Sequence, residues 1–98
     1  MSLTTLQPAL NPATPGAQDA FTQRMRQELG FIGAKRLEDG TYVGLQPLLF
    51  TLAICVGVTE QAAYQRRYCY EDASEAIGNY ERMDSRDFTP SGYVATRP

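Results

Sequence analysis

Residues 42–70 read YVGLQPLLFTLAICVGVTEQAAYQRRYCY, and the reading of this stretch decides the fold. Leu48–Val58 is its apolar centre. Pro47 precedes it and the polar segment Thr59–Ala63 follows it. A helix would also bury such a run, but its β-branched residues and flanking turn signals favour a strand. Along a strand, alternate side chains point to opposite faces. The even set is bulky: Leu48, Phe50, Leu52, Ile54, Val56 and Val58. The odd set is Leu49, Thr51, Ala53, Cys55 and Gly57, small for the most part and still apolar. The even face is therefore read as the main core. The odd face needs a cover, supplied either by helices of the same chain or by a second subunit. Tyr64–Tyr70 is read as the return strand, with Tyr64, Arg66, Tyr68 and Tyr70 on one face and Gln65, Arg67 and Cys69 on the other.

Working outward, Asp39-Gly40 separates FIGAKRLE from TYVGLQ and predicts a two-residue hairpin turn of type I′. Gly33 and Gly44 predict a bulge or close packing in these flanks. Pro47 lacks a ladder donor and predicts a break before the next strand. Upstream, Thr14 and Pro15 suit the start of a helix, and Gly30 suits its end. Phe21, Met25 and Leu29 recur every fourth residue and give that helix a narrow apolar stripe. Downstream, Asp72-Ala-Ser-Glu75 has the form of a capping box. It predicts a helix to about Met83, with Ala73, Ala76, Ile77, Tyr80 and Met83 on its packed face. A final strand within Gly92–Thr96 would close the sheet. The expected fold is α+β: a four- to five-stranded antiparallel sheet with an N-terminal helix and a helix after the fourth strand. Residues 1–13, with Pro8 and Pro12, read as a flexible N-terminal arm, and residues 14–98 as a single domain.

Composition narrows the function. Ninety-eight residues suit one core, and an apolar fraction of 43% argues against wholesale disorder. The net charge of −2 lacks the basic footprint usual in nucleic-acid binders. There is no histidine, which removes the commonest general base and the commonest metal ligand. The first twelve residues show neither a basic nor an apolar export region, so a cytoplasmic location is expected. The run from Pro47 to Val58 falls short of the about 20 residues that a bilayer span requires. Cys55 and Cys69 read as buried thiols in a reducing compartment, with a cross-strand disulfide as the rival reading.

The segment GLQPLLFTLAICVG, followed by YQRRYCYEDASEA, resembles a group of small proteins of proteobacteria and their phages with no assigned activity. The matching parts are Asp39-Gly40, Gly44-Leu45, Pro47 to Thr51, Gly57, Tyr64 and Arg67 to Glu71, spread over roughly residues 31–84. The resemblance supports the hairpin reading and implies no substrate. The helix before Gly30 lies outside it.

Four sets of residues could carry a function. Arg66-Arg67 with Lys35-Arg36 could contact an anion or nucleic acid, with Tyr64, Tyr68 and Tyr70 as stacking platforms. Against this, adjacent strand residues point to opposite faces, and arginine stems commonly just cover tyrosines on a sheet. The acidic residues of 71–87 fit a solvated helix face better than a metal site, since no calcium-loop spacing is present. Cys69 has no histidine to serve as its base, which argues against a thiol enzyme. Phe21, Met25, Leu29, Leu49, Ala53 and Cys55 form a candidate interface. No phosphate loop or nucleophile elbow is present. No catalytic, cofactor or metal residues are assigned. The expectation is a small non-enzymatic accessory or interaction protein, a homo-oligomer (dimer) formed through a sheet face or helix. The alternative is a nucleic-acid or anion-binding module.

Overall fold

The computed structural model describes residues 18–97. In chain order the elements are α1 (Ala20–Gln27), β1 (Gly33–Arg36), β2 (Tyr42–Pro47), β3 (Leu52–Val56), β4 (Arg66–Tyr70), α2 (Ala73–Arg82) and β5 (Ala95–Arg97). The strands form one antiparallel sheet in the order β1-β2-β3-β4-β5, so each strand pairs with its neighbours in sequence. The α+β fold and its five-stranded antiparallel sheet match the sequence reading. Residues 1–13, read as an arm, and Thr14 and Pro15, read as a helix start, lie outside the described residues.

Each face of the sheet carries its own core. On one, Val43, Leu45, Leu52, Ile54, Val56 and Tyr70 pack with Leu37 and with Ala76 and Met83 of the α2 region. On the other, Ala34, Cys55 and Val58 pack with Met25 of α1 and with Phe31. The small residues of the odd face are thus what lets α1 and Phe31 come down onto the sheet. At Gly44 a Cβ would stand 2.4 Å from the Phe31 ring, so Phe31 fills the space that a side chain there would need.

Both helices are set by aspartates. The Asp19 carboxylate accepts from the Thr22 N–H, and the Thr22 hydroxyl accepts from the Asp19 N–H, a reciprocal cap that the sequence reading placed at Thr14 instead. Asp72 caps α2 as expected, accepting from the N–H groups of Ser74 and Glu75. The packed face of α2 agrees with the expected one at Ala76, Tyr80 and Met83 and differs at Ala73 and Ile77. Ala76, Asn79 and Met83 are buried, whereas Ala73 and Ile77 are exposed. Asn79 belongs inward because its amide closes two hydrogen bonds with the Ser91 main chain, holding the segment that leads to β5.

Three local features correct the strict alternation read from the sequence. First, the Asp39-Gly40 turn is not type I′. Only Gly40 has positive φ, at 88°, and the Gly40 N–H donates to the Leu37 carbonyl while the Leu37 N–H donates to that of Thr41. The loop is therefore a three-residue turn closed by a left-handed glycine, which needs no strained backbone at Asp39.

Second, β3 is interrupted by a bulge. The N–H groups of Gly57 and Val58 both donate to the Tyr42 carbonyl, and Gly57 has φ of 78°. Two residues then oppose one, and the alternation slips by one position. Val58 consequently joins Cys55 and Met25 on the α1 face instead of Val56 on the α2 face. Tyr64, outside β4, lies on that face too.

Third, β3 starts at Leu52 and not at Leu48. The Leu48 N–H donates to the Thr51 carbonyl, closing a tight turn with Leu49 and Phe50 at its tip. Phe50, expected in the core, is 85% exposed.

Candidate functional site

The turn between β2 and β3 carries the most exposed large hydrophobic residues among those described. Leu49 and Phe50 are 86% and 85% exposed, and Ile32, just before β1, is 61% exposed. Ladder pairing ends at Pro47 opposite Leu52, so the two residues at the tip project beyond the sheet. A shallow hollow lies beside them. Its walls are Ile32, Leu52, Ala73 and Ile77, together with Pro47, Leu48 and Thr51 and the Leu49-Phe50 tip itself. Glu71 is the one charged residue on its rim. The physical cause is local: two large hydrophobes occupy turn positions where glycine, asparagine or aspartate is usual. In such a turn they cannot reach either core.

The candidate interface residues of the sequence reading separate accordingly. Met25, Ala53 and Cys55 have no exposure, being covered within the chain. Phe21 and Leu29 are half-buried and pack against the α1-side core, Phe21 edge-on to Tyr42 at 4.7 Å. Leu49 alone of the six stands free. Phe50, Ile32 and Ile77 complete the patch and were absent from the sequence-based set. The signal that could have found Phe50 was Pro47, which shortens the strand on the side where Phe50 lies.

The arginine and tyrosine residues do not converge either. Lys35 is buried on the α2 face, where its ammonium donates to the main-chain carbonyls of Tyr80 and Glu81 at the end of α2. Burial pulls its pKa down, against the opposing pull of Glu81 and Asp84. Arg36 faces the other way and pairs with Asp19 at 3.7 Å, and the Tyr42 hydroxyl donates to the same carboxylate at 2.7 Å. Burial would raise the Asp19 pKa. The Tyr42 and Thr22 hydrogen bonds and Arg36 outweigh it, and the carboxyl titrates below its ordinary value.

Arg66 and Arg67 do split across the sheet. Arg67 stacks on the Tyr64 ring at 5.2 Å on the α1 side. Arg66 lies on the opposite side, in a shallow cleft with Gln65, Tyr68, Arg86, Phe88 and Val56. Tyr70 is fully buried, and its hydroxyl has no hydrogen-bond partner among the described residues. Arg86 was not singled out from the sequence; it comes from the polar loop after α2, and only the folded chain brings it to Arg66.

The thiols are not paired. Cys55 and Cys69 are free and buried. Burial pushes the Cys55 thiol up to about 12, which suppresses thiolate formation at neutral pH. Among the described residues no group of three or more His, Cys, Asp or Glu side chains could hold a metal ion. No described helix is long and apolar enough to cross a membrane.

No protein-family model, curated protein or solved structure matches this chain.

Proposed function

We propose that this chain is a small non-enzymatic accessory protein that works by protein contact, and that it associates with a second copy of itself through the Leu49-Phe50 turn. The exposure of these two adjacent residues at 86% and 85% carries the reading. Exposed large hydrophobes grouped on one surface mark interaction sites in soluble proteins, whereas scattered ones do not.

The choice of a second copy rests on shape. A two-fold dimer places the same patch on both sides of the interface, so the patch must be self-complementary, and a projection beside a recess meets that requirement. Here the projecting Leu49-Phe50 tip borders the hollow walled by Ile32, Ala73 and Ile77. One copy's Phe50 would enter the other's hollow, and the reverse. The original motive for self-association, a small odd face in need of a cover, is met by α1 and Phe31, so the interface moves from the sheet face to the end of the sheet. Two free thiols suit a reducing compartment, and we place the protein in the cytoplasm on that ground.

Sedimentation velocity over a wide concentration range tests the proposal. The wild type should pass from monomer to dimer as concentration rises, and the Leu49→Asp/Phe50→Asp variant should stay monomeric with an unchanged circular-dichroism spectrum. A wild type that remains monomeric throughout, or a variant that associates equally well, would refute it.

A further inference from the structure

The cleft on the α2 side, at the end of the sheet away from the Leu49-Phe50 turn, contains two arginines whose side chains make no close ion pair among the described residues. Arg66 opens β4 and Arg86 comes from the loop after α2, yet both line the same hollow. No ion pair involves either side chain among the described residues, in a chain with more acidic than basic groups. The nearby Asp39 carboxylate takes its hydrogen bonds from the Arg86 main-chain N–H at 2.9 Å and from that of Thr41 at the same distance, and the Arg86 charge adds a weaker attraction that helps hold its pKa down. The Arg86 guanidinium instead donates to the Gln65 side-chain oxygen. A guanidinium has five donors, so one bond to an amide leaves most of them open. The lining is mostly polar; Phe88 and the Tyr68 ring supply its apolar part, with Val56 buried beneath them.

We infer that this cleft is a binding site for a small organic phosphate whose phosphoryl group sits between Arg66 and Arg86 and whose apolar body lies against Phe88 and Tyr68. Two arginines provide the planar donor forks that phosphate oxygens match. Neither is held in a close ion pair that the ligand would have to break; Asp39 acts on Arg86 only at longer range. The Gln65 side chain holds Arg86 in place before binding, so less ordering is needed when the anion arrives. The site is separate from the Leu49-Phe50 turn, and neither depends on the other.

Titration of the full-length protein with phenyl phosphate, inorganic phosphate and phenol, followed by amide chemical shifts, tests the assignment. Phenyl phosphate should produce saturable shifts at Gln65, Arg66, Arg86 and Phe88. Inorganic phosphate should shift the same amides more weakly, and phenol should leave them unmoved. Arg66→Gln and Arg86→Gln should each weaken phenyl phosphate binding by about tenfold, the loss expected for a charge-assisted hydrogen bond. Arg82→Gln, on the exposed side of α2, should not weaken it. Both arginines are exposed, and an unchanged fold in the variants can be checked from their spectra. Shifts that never saturate, that scatter over all the arginines, or that survive both substitutions would overturn the site. Equal binding of phenyl and inorganic phosphate would overturn the role given to its apolar surface.

Discussion

The Lys35 ammonium lies 4.6 Å from the centre of the Tyr80 ring and donates to the Tyr80 main-chain carbonyl. A lysine from the first strand thereby terminates the second helix, 45 residues later in the chain. The last carbonyls of a helix lack partners of their own, and a cation there is favoured by the helix dipole. An inward-pointing charge on an edge strand also discourages pairing with a foreign strand. Lys35→Met should keep the apolar stem and lose the cap, costing about 1–3 kcal/mol. Urea denaturation checks this; a variant as stable as the wild type would show that the cap contributes nothing.

Alkaline pH should destabilise the protein. Burial raises Cys55 from 9.0 to about 12, and raises Tyr70 and Tyr80 from 10.0 to about 12. The native state keeps these protons where the unfolded chain releases them. The unfolded state then binds fewer protons, and stability falls as pH rises from about 9 to about 12. Lys35 acts in the opposite direction. Its lowered pKa means that the unfolded chain binds the extra proton just below 10.5, so this one group adds stability as pH rises there. Burial and the Asp19 carboxylate also raise Tyr42, so four groups oppose one, and urea midpoints should decline over the whole range. Cys55→Ala should move the onset of decline from about 9 to about 10, the point at which the unfolded tyrosines begin to ionise. A midpoint that is flat to the end of the range would contradict this.

On the acid side, Asp19 is the group to watch. It caps α1, accepts from Tyr42 and faces Arg36. Its folded pKa is below the unfolded 3.8, so its contribution is present above 3.8 and is lost as pH falls through the lower, folded value. Asp19→Ala should cost about 1–2 kcal/mol at neutral pH. It should also flatten the acid limb of the stability curve. An unaltered acid limb would show that other carboxylates control it.

Asn79 should matter more than its position on a surface helix suggests. Its amide is almost fully buried and bonds to the Glu75 carbonyl and to both main-chain groups of Ser91. Asn79→Ala leaves those Ser91 groups unpaired and should cost about 1–3 kcal/mol. Hydrogen exchange should quicken at Ser91 first and at β5 next. Equal protection in the variant would remove Asn79 from this role.

Legibility from sequence followed the range of each signal. The central hairpin was readable because Leu52–Val56 is an apolar run with β-branched residues, bounded by Pro47 upstream and Gly57 downstream. α2 was readable because Asp72 and Met83 mark its two ends. The errors arose where one residue changed the register. Gly57 slips the alternation by one place and carries Val58 to the other face, which no count of even and odd positions reveals. The Leu48–Thr51 turn lacks every usual turn residue, so Phe50 read as core. The sites were hidden for a different reason. Arg86 and Arg66 are 20 residues apart, as are Lys35 and Tyr80 by 45, and only the sheet order brings them together.

The central claim is that Phe50 of one copy enters the hollow of another, and photo-crosslinking from position 50 tests it most directly. With p-benzoylphenylalanine in place of Phe50, irradiation of the purified protein should yield covalent dimers. Peptide mass spectrometry should locate the links at Ile32 and at residues 73–77 of the second chain. A yield of intrachain links alone, or of interchain links that map elsewhere on the surface, would contradict the account.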